Sequence, residues 1–217
     1  MRIFIYFFVF LGLSGCTNNS PEKSVGTIDS VKTDSVVDTH QNQTITADRI
    51  ILPGEKVGHI TIGANAADLD SILGAPDRSD AAMGKAWLTW MGKRDDHNNE
   101  TQLDIYTTYS DSTMSKKTVQ QIRTTSSYFS TVSGIHVYSD LEKIREAFPP
   151  IQKVATYREG EREFQIYDDR EGGIAFEIVT AGAEDICTGI IVHPKGKPVT
   201  DTYMYLHPDM QLMNPKS

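Results

Sequence analysis

The cysteine and histidine side chains are the first places to look for chemistry in this 217-residue sequence. Cys187 and His193 fall six residues apart on one predicted strand, so both are expected on the same face. Six residues of extended chain span about 20 Å, whereas a cysteine–histidine pair reacts only at hydrogen-bond distance. The spacing therefore predicts that Cys187 is a small buried side chain without catalytic function.

A second candidate is the polar stretch of residues 95–100, which reads Asp-Asp-His-Asn-Asn-Glu. Carboxylates and imidazoles bind divalent cations, but the stretch lacks the central glycine of a calcium loop. It also lies between two predicted strands, where a polar turn is expected in any case. We interpret it as a turn, and we predict neither a metal nor an organic cofactor.

His59 and His136 occupy similar places in two segments of the chain that resemble each other. One hypothesis is a cell-envelope hydrolase in which His59 or His136 works with nearby carboxylates. The alternative is that each is a polar residue at the end of a strand. No nucleophile elbow, phosphate loop, dinucleotide-binding turn or paired zinc motif occurs, and we predict that the protein is not an enzyme.

The N-terminal segment has the layout of a secretion signal. Arg2 gives it a positive start, and residues 3–13 form an uninterrupted apolar run. A membrane-spanning helix needs about 20 apolar residues, so this run is too short for a permanent transmembrane anchor. Residues 1–15 are therefore predicted to be a signal peptide that is removed from the mature protein.

The signal ends in a cysteine motif. The residues Leu13, Ser14, Gly15 and Cys16 resemble the lipobox of bacterial lipoproteins, in which an aliphatic and two small residues precede cysteine. The resemblance implies cleavage before Cys16, a diacylglycerol (palmitate-type) thioether on its sulfur and acylation of the new amine. Since several acyl chains make anchoring stable, it implies a membrane-attached protein. Thr17 follows the cysteine instead of aspartate, which by the usual sorting rule implies the cell outer membrane.

Residues 16–47 are predicted to be the lipidated cysteine and a flexible linker. Residues 17–47 contain no aromatic side chain and are rich in serine, threonine, asparagine and aspartate, so they bury too little apolar surface to fold. A coil of this length spans about 30 Å. The alternative for residues 27–37 is an edge strand, because apolar and polar residues alternate there.

The rest of the chain contains an internal repeat. Residues 58–76 and 134–149 each read as a short extended stretch followed by an acidic helix. Within the helices, residues 68–72 align with residues 140–144 at a constant offset. Candidate strands follow each helix, at residues 86–91, 103–109 and 119–125 in the first unit and 154–157, 164–168, 174–179 and 187–193 in the second. The predicted fold class is α+β with two tandem repeats, each a helix followed by an antiparallel sheet of about three strands. The boundaries are 48–132 for repeat 1, 133–206 for repeat 2 and 207–217 for a tail.

The opening of the repeat, Gly-x-Ile-x-Ile-Gly at residues 58–63, precedes an acidic helix and the closing Gly74-Ala75-Pro76. This pattern resembles the SmpA/OmlA-type lipoproteins of the outer-membrane barrel-assembly machinery and the tandem-repeat β-lactamase inhibitor proteins. The resemblance covers residues 58–76 well and 134–149 in part, because Tyr138 replaces a glycine. Members of these families bind proteins and do not catalyse reactions, so the resemblance implies a binding module. Residues 80–90 also resemble uncharacterised envelope lipoproteins.

Aromatic side chains supply the candidate binding surface. If alternate residues of each strand face the helices, Trp87, Tyr106 and Tyr167 lie together on the other face of the sheet. Large aromatics are favoured in protein interfaces because a rigid ring buries much area at low entropic cost. The alternative is that the second repeat or the C-terminal residues 203–205 cover this face.

We predict a lipid-anchored cell-envelope lipoprotein that serves as a protein-binding or envelope-binding module. Its predicted partners are the membrane, through the lipid on Cys16, and an unidentified protein. The net charge of −8 argues against nucleic acid. The rival hypotheses are the hydrolase described above and a structural scaffold without a binding patch.

Overall fold

A computed structural model describes residues 46–213, which belong to one compact unit. The predicted signal peptide, Cys16 and nearly all of the predicted linker lie outside these residues. Among the residues described, no helix has both the length and the apolar character to cross a membrane.

Strands form most of the regular structure. They are β1 (Ile50–Leu52), β2 (Lys56–Val57), β3 (Ile60–Thr61), β4 (Arg78–Ala82), β5 (Lys85–Arg94), β6 (Glu100–Tyr109), β7 (Lys117–Thr124), β8 (Ser130–Thr131), β9 (Gln152–Glu159), β10 (Arg162–Asp169), β11 (Ile174–Ala181), β12 (Glu184–Val192) and β13 (Gln211–Leu212). The helices are a 3₁₀ turn (Ala66–Asp68), α1 (Leu69–Leu73) and α2 (Leu141–Ala147).

A nine-stranded sheet dominates the fold, with the strand order β13-β9-β10-β11-β12-β7-β6-β5-β4. The strands β4 to β7 form one antiparallel meander, and β9 to β12 form another. The last strands of the two meanders, β7 and β12, pair with each other and join them into one surface. A smaller sheet, ordered β3-β2-β1-β8, contains the parallel pair β1–β8.

The predicted α+β class with two tandem repeats is wrong. Residues 46–213 are mostly β, with 48% strand and 9% helix, and the two α-helices described there have only five and seven residues. The large sheet contains strands from both sides of residue 132, so the two halves do not form separate helix-plus-sheet units. The apolar spacing that predicted the helices is present, but most of the chain continues into long strands whose pairing decides the architecture.

Both faces of the large sheet are covered, and each has its own core. The first core contains Trp90, Ile105, Ile122, Phe176 and Ile190, packed with residues of the helices and the small sheet. The second core, on the opposite face, contains Tyr157, Phe164, Ile166, Ile191 and Val199. Because Tyr167 is expected on the face away from the helices, alternation along its strand predicts Phe164 and Ile166 on the helix side. They lie on the other side because alternation fixes which residues share a face, but not which face is which when both are buried.

Candidate functional site

The predicted aromatic surface is not open. Trp87, Tyr106 and Tyr167 are only 5%, 2% and 8% exposed. Trp87 and Tyr106 do lie together, opposite each other on β5 and β6, with ring centroids 5.1 Å apart. Tyr167 pairs with Phe176 and belongs to the first core, on the opposite face of the sheet. The guanidinium of Arg145, on α2, lies 5.4 Å from the Tyr167 ring centroid.

The C-terminal segment covers Trp87 and Tyr106. Trp87 Nε1 donates a hydrogen bond to the carbonyl oxygen of Met204 (2.9 Å), and the backbone N–H of Tyr203 donates to the Tyr106 hydroxyl (3.1 Å). Residues 203–205 therefore cover the face at Trp87 and Tyr106, as the alternative to an open aromatic surface proposed. We name residues 194–213, which run from the end of β12 across the second core to β13, the C-terminal strap.

A row of buried charges crosses the sheet beneath the strap. Thr89 Oγ1 donates to Asp104 Oδ1 at 2.7 Å, and Arg123 Nη1 donates to Asp104 Oδ2 at 2.7 Å. Arg123 Nη2 and Nε contact the carboxylate of Glu177 at 2.7 and 2.9 Å. These residues lie on successive strands β5, β6 and β7 and then on β11, so one strand, β12, separates Arg123 from Glu177.

The absence of a side chain at one position of β12, Gly189, permits this ion pair. Gly189 is the residue directly opposite Glu177, and a Cβ at Gly189 would overlap Glu177 Oε2. The glycine does not have the positive φ that would require glycine for backbone reasons. It therefore provides space, and through this space Arg123 of the first meander reaches Glu177 of the second.

The same carboxylate holds the strap. His207 Nε2 lies 3.1 Å from Glu177 Oε1, and its imidazole stacks on Tyr157 with ring centroids 3.6 Å apart. Burial alone would raise the pKa of Glu177, but the charges of Arg123 and His207 outweigh it and hold that pKa below its usual range. Glu177 is thus a buried anion that joins three elements: the two meanders and the strap.

A second buried carboxylate fixes the beginning of the strap. His193 Nε2 lies 3.0 Å from Asp168 Oδ1, and the backbone N–H of Val199 donates to Asp168 Oδ2 at 3.0 Å. Gln121 Nε2 donates to the carbonyl oxygen of Val199 at 2.6 Å. His193 is fully buried, and its contacts are those of a structural residue.

Cys187 and His193 lie on opposite faces of β12, so the expectation of a common face is wrong. The register shifts between Glu177 and Ile178, where β12 contributes one extra residue, Thr188. This bulge interrupts the alternation of side chains along the strand. Cys187 packs in the first core, and burial raises the pKa of its thiol, as expected for a small buried side chain.

His59 and His136 are both exposed. His136 Nδ1 lies 2.6 Å from the carbonyl oxygen of Val137, the next residue. The buried carboxylates described above contact Arg123, His193 and His207 instead. The structure thus gives the hydrolase hypothesis no enclosed pairing of either histidine with an acid among residues 46–213.

Residues 95–99 form the turn between β5 and β6, and Glu100 begins β6. Asp95 accepts hydrogen bonds from the backbone N–H groups of His97 and Asn99, both at 2.9 Å, and from the Tyr138 hydroxyl. The hydrogen bond with Tyr138 contributes most to lowering the pKa of Asp95. In the described part of the chain, no group of three or more histidine, cysteine or acidic side chains is arranged to hold a metal.

The two edges of the large sheet differ. At one edge β13, a piece of the strap, pairs with β9 through Gln211 and Leu212. At the other edge lies β4, and within residues 46–213 nothing pairs with its outer side. Four of its five residues are exposed. The strand reads Arg-Ser-Asp-Ala-Ala, so it carries one cation and one anion, two residues apart, and its other side chains are small.

The residues that form the buried ion pairs and the histidine contact were not predicted from the sequence. Asp104, Arg123, Glu177 and His207 were assigned no role, and His207 was placed in the tail although it is buried. A signal was present: Asp104, Arg123 and Glu177 are single charges inside runs that otherwise read as strands. Such charges are expected to be paired when the strand is buried on both faces.

No family model matches the sequence, and no curated protein matches it. Among solved structures, the chain is similar to the crystal structure of a DUF4309 family protein (YjgB) from Bacillus subtilis subsp. subtilis strain 168, with 16% sequence identity and a TM-score of 0.37. The match covers 65% of this chain and 88% of that one.

Proposed function

We propose that this protein is a lipid-anchored cell-envelope module that binds an extended segment of another envelope protein at the β4 edge. The observation that carries the proposal is the outer side of β4, with which nothing among residues 46–213 pairs; the strand is five residues long and almost entirely exposed. A free edge offers a row of backbone donors and acceptors, to which an extended peptide adds as a further strand.

The molecule itself contains an example of this binding mode. Its C-terminal strap closes the opposite edge by adding β13 to β9 in antiparallel orientation. One edge is thus already occupied by a segment of the same chain, whereas no segment within residues 46–213 pairs with the outer side of β4.

The side chains of β4 describe the partner. Arg78 and Asp80 are two residues apart and project from the same face of the strand. A partner strand that places an acidic residue opposite Arg78 and a basic residue opposite Asp80 forms two favourable cross-strand pairs. The small side chains of Ser79 and Ala81 let the partner strand approach closely.

Membrane attachment through Cys16 is part of the proposal and rests on the lipobox of residues 13–16. Mass spectrometry of the mature N-terminus is expected to find Cys16 carrying acyl chains, and a Cys16→Ser variant is expected to leave the membrane fraction. An unmodified Cys16 in the mature protein would overturn the anchor.

The edge is tested by site-specific crosslinking in intact cells. A photoreactive phenylalanine analogue is placed at Ser79 or Ala81 of β4 and, as a matched control, at the exposed Glu142 of α2. We expect an adduct from β4 but not from α2. The charge reversal Arg78→Glu combined with Asp80→Lys is expected to abolish the adduct. An adduct of twice the chain mass would identify a second copy as the occupant, and no adduct from β4 would exclude the edge as the binding surface.

A further inference from the structure

The hairpin turns of the large sheet use two kinds of residue where the backbone has a positive φ. Most use those that tolerate this conformation: Asn98 between β5 and β6, Gly160 between β9 and β10, Gly173 between β10 and β11 and Gly182 between β11 and β12. Two turns place a methionine in this conformation, Met83 (φ 50°) next to Gly84 (φ 78°) between β4 and β5, and Met114 (φ 52°) between β6 and β7. A left-handed backbone is unfavourable for an ordinary side chain, so the backbone of these turns does not explain the choice of methionine.

These two turns lie at the same end of the sheet. Strand β5 begins at Lys85 immediately after the first turn, while β6 ends at Tyr109 and β7 begins at Lys117 on either side of the second. The turn with Asn98 is at the opposite end. Met83 is 79% exposed and Met114 66%, which makes them two of the most exposed large apolar residues described.

Aromatic and basic side chains surround the methionines. The Tyr203 ring lies beside Met83, with its hydroxyl 2.9 Å from the sulfur and Lys85 Nζ 4.2 Å from the ring centroid. The Tyr109 ring lies against Gly84, and Lys117 Nζ is 5.3 Å from its centroid. Apolar tips with tyrosine and lysine behind them are the combination that favours the interface of a lipid bilayer.

The charge of this end is opposite to that of the chain. Residues 82–85 and 110–117, which contain the two turns, have three basic side chains and one acidic side chain, whereas the whole chain has a net charge of −8. The acidic residue, Asp111, is occupied inside its own turn, where it accepts hydrogen bonds from Thr113 and Ser115 that lower its pKa to about 2. Basic residues near an anionic membrane surface are attracted to it.

We propose that this end of the sheet, which we name the methionine end (Met83, Met114, Tyr109, Tyr203 and the adjoining lysines), rests on the surface of a bilayer containing anionic lipid. The inference rests on the lipid anchor of the proposed function, because an anchored chain stays within reach of the bilayer. Contact through the two tips orients the sheet relative to the membrane.

The test uses the mature lipidated protein in vesicles of phosphatidylethanolamine and phosphatidylglycerol. An environment-sensitive fluorophore is attached at Met83→Cys, at Met114→Cys and, as the matched control, at Val132→Cys, since Val132 is 75% exposed and lies in the loop after β8. Cys187 is buried and does not react. Lipids carrying a nitroxide on the acyl chain are expected to quench positions 83 and 114 about threefold more than position 132.

Flotation of the vesicles separates the two proposals. If the protein floats with the vesicles but all three positions are quenched equally, the methionine end does not touch the bilayer and only this inference fails. If the protein does not float, the anchor fails and this inference falls with it. Positions 83 and 114 that are shielded from aqueous quencher in cells, yet not quenched by nitroxide lipids, would show that a protein covers this end instead and would overturn the bilayer contact.

Discussion

Arg123 and Glu177 form a bidentate ion pair across the strand that lies between them, with Nη2–Oε2 and Nε–Oε1 distances of 2.7 and 2.9 Å. The pair bridges the junction between the two meanders, at β7 and β12. Both side chains are buried, so the charge of Glu177 depends mainly on Arg123 for compensation, while Asp104 gives Arg123 a second counter-charge.

Removing Arg123 alone is expected to be more destabilising than removing it together with the two carboxylates that it contacts. Arg123→Met leaves Glu177 and Asp104 buried without their counter-charge and is expected to cost about 3–5 kcal/mol of unfolding free energy. The triple variant Arg123→Met/Glu177→Leu/Asp104→Asn removes all three charges and is expected to recover a large part of that loss. Urea denaturation of the single and triple variants measures this difference. A triple variant that is as unstable as the sum of the three single variants would contradict this expectation.

The ion pair predicts acid sensitivity with a defined sign. The pKa of Glu177 is lower in the folded protein than its usual value of 4.5, because Arg123 and His207 outweigh the effect of burial. Above about pH 4.5 the residue is ionised in both states, and its stabilising contribution is complete. As the pH falls below this value the unfolded chain takes up the proton first, so the contribution decreases and is lost below the folded pKa. The stability difference between wild type and Glu177→Gln is expected to narrow from about pH 4.5 downward, measured by urea denaturation at each pH.

Gly189 is expected to be required only because Glu177 is opposite. Gly189→Ala introduces a Cβ that overlaps the Glu177 carboxylate, and forcing a methyl group into a packed site costs about 1–3 kcal/mol. In a Glu177→Ala background the overlap disappears, and the same substitution is expected to cost much less. A double-mutant cycle measures this coupling. Equal costs in the two backgrounds would show that the glycine serves the backbone and not the ion pair.

The sequence predicted where most strands lie, but not how they assemble. Apolar–polar alternation placed β5, β6, β10, β11 and β12 close to their observed positions. Alternation is a local property, whereas the pairing of β7 with β12 brings together residues almost 70 positions apart. The bulge at Thr188 and the register that puts Phe164 in the second core likewise depend on neighbouring strands. The spacing of apolar residues in a single sequence does not specify which strands pair, where a bulge occurs or which register the strands adopt.

The cover over the aromatic pair, the strap and the β4 edge could not be predicted from the sequence for a related reason. Trp87 and Tyr106 were correctly grouped on one face, but their exposure depended on whether residues 203–205 reach them. The strap has little periodic pattern, and it is held by single contacts such as His207 with Glu177. The free edge of β4 could be recognised only after the order of all nine strands was known.

The strap is expected to loosen locally when its histidine is removed. His207→Ala deletes both the contact with Glu177 and the stacking on Tyr157, while the paired strands beneath keep their hydrogen bonds. Amide hydrogen exchange is therefore expected to accelerate in residues 199–213 and to remain slow in β6 and β11. His136→Ala, at an exposed histidine, is the matched control and is expected to change neither. Uniform acceleration in all strands would show that the strap and the sheet open as one unit.

The two methionine turns predict a conflict between stability and membrane contact. Met83→Asn places a residue that tolerates the left-handed backbone before Gly84, as preferred in a two-residue hairpin, and is expected to raise the unfolding free energy by about 0.5–1 kcal/mol. The reverse change, Asn98→Met in the turn at the opposite end, is expected to lower it by a similar amount. Urea denaturation measures both.

With a fluorophore at Met114→Cys, the stabilised Met83→Asn variant is expected to show weaker quenching by nitroxide lipids, because one of the two apolar tips has become polar. If Met83→Asn instead left stability unchanged, the methionine would not be strained, and its backbone conformation would no longer indicate selection for contact with the bilayer.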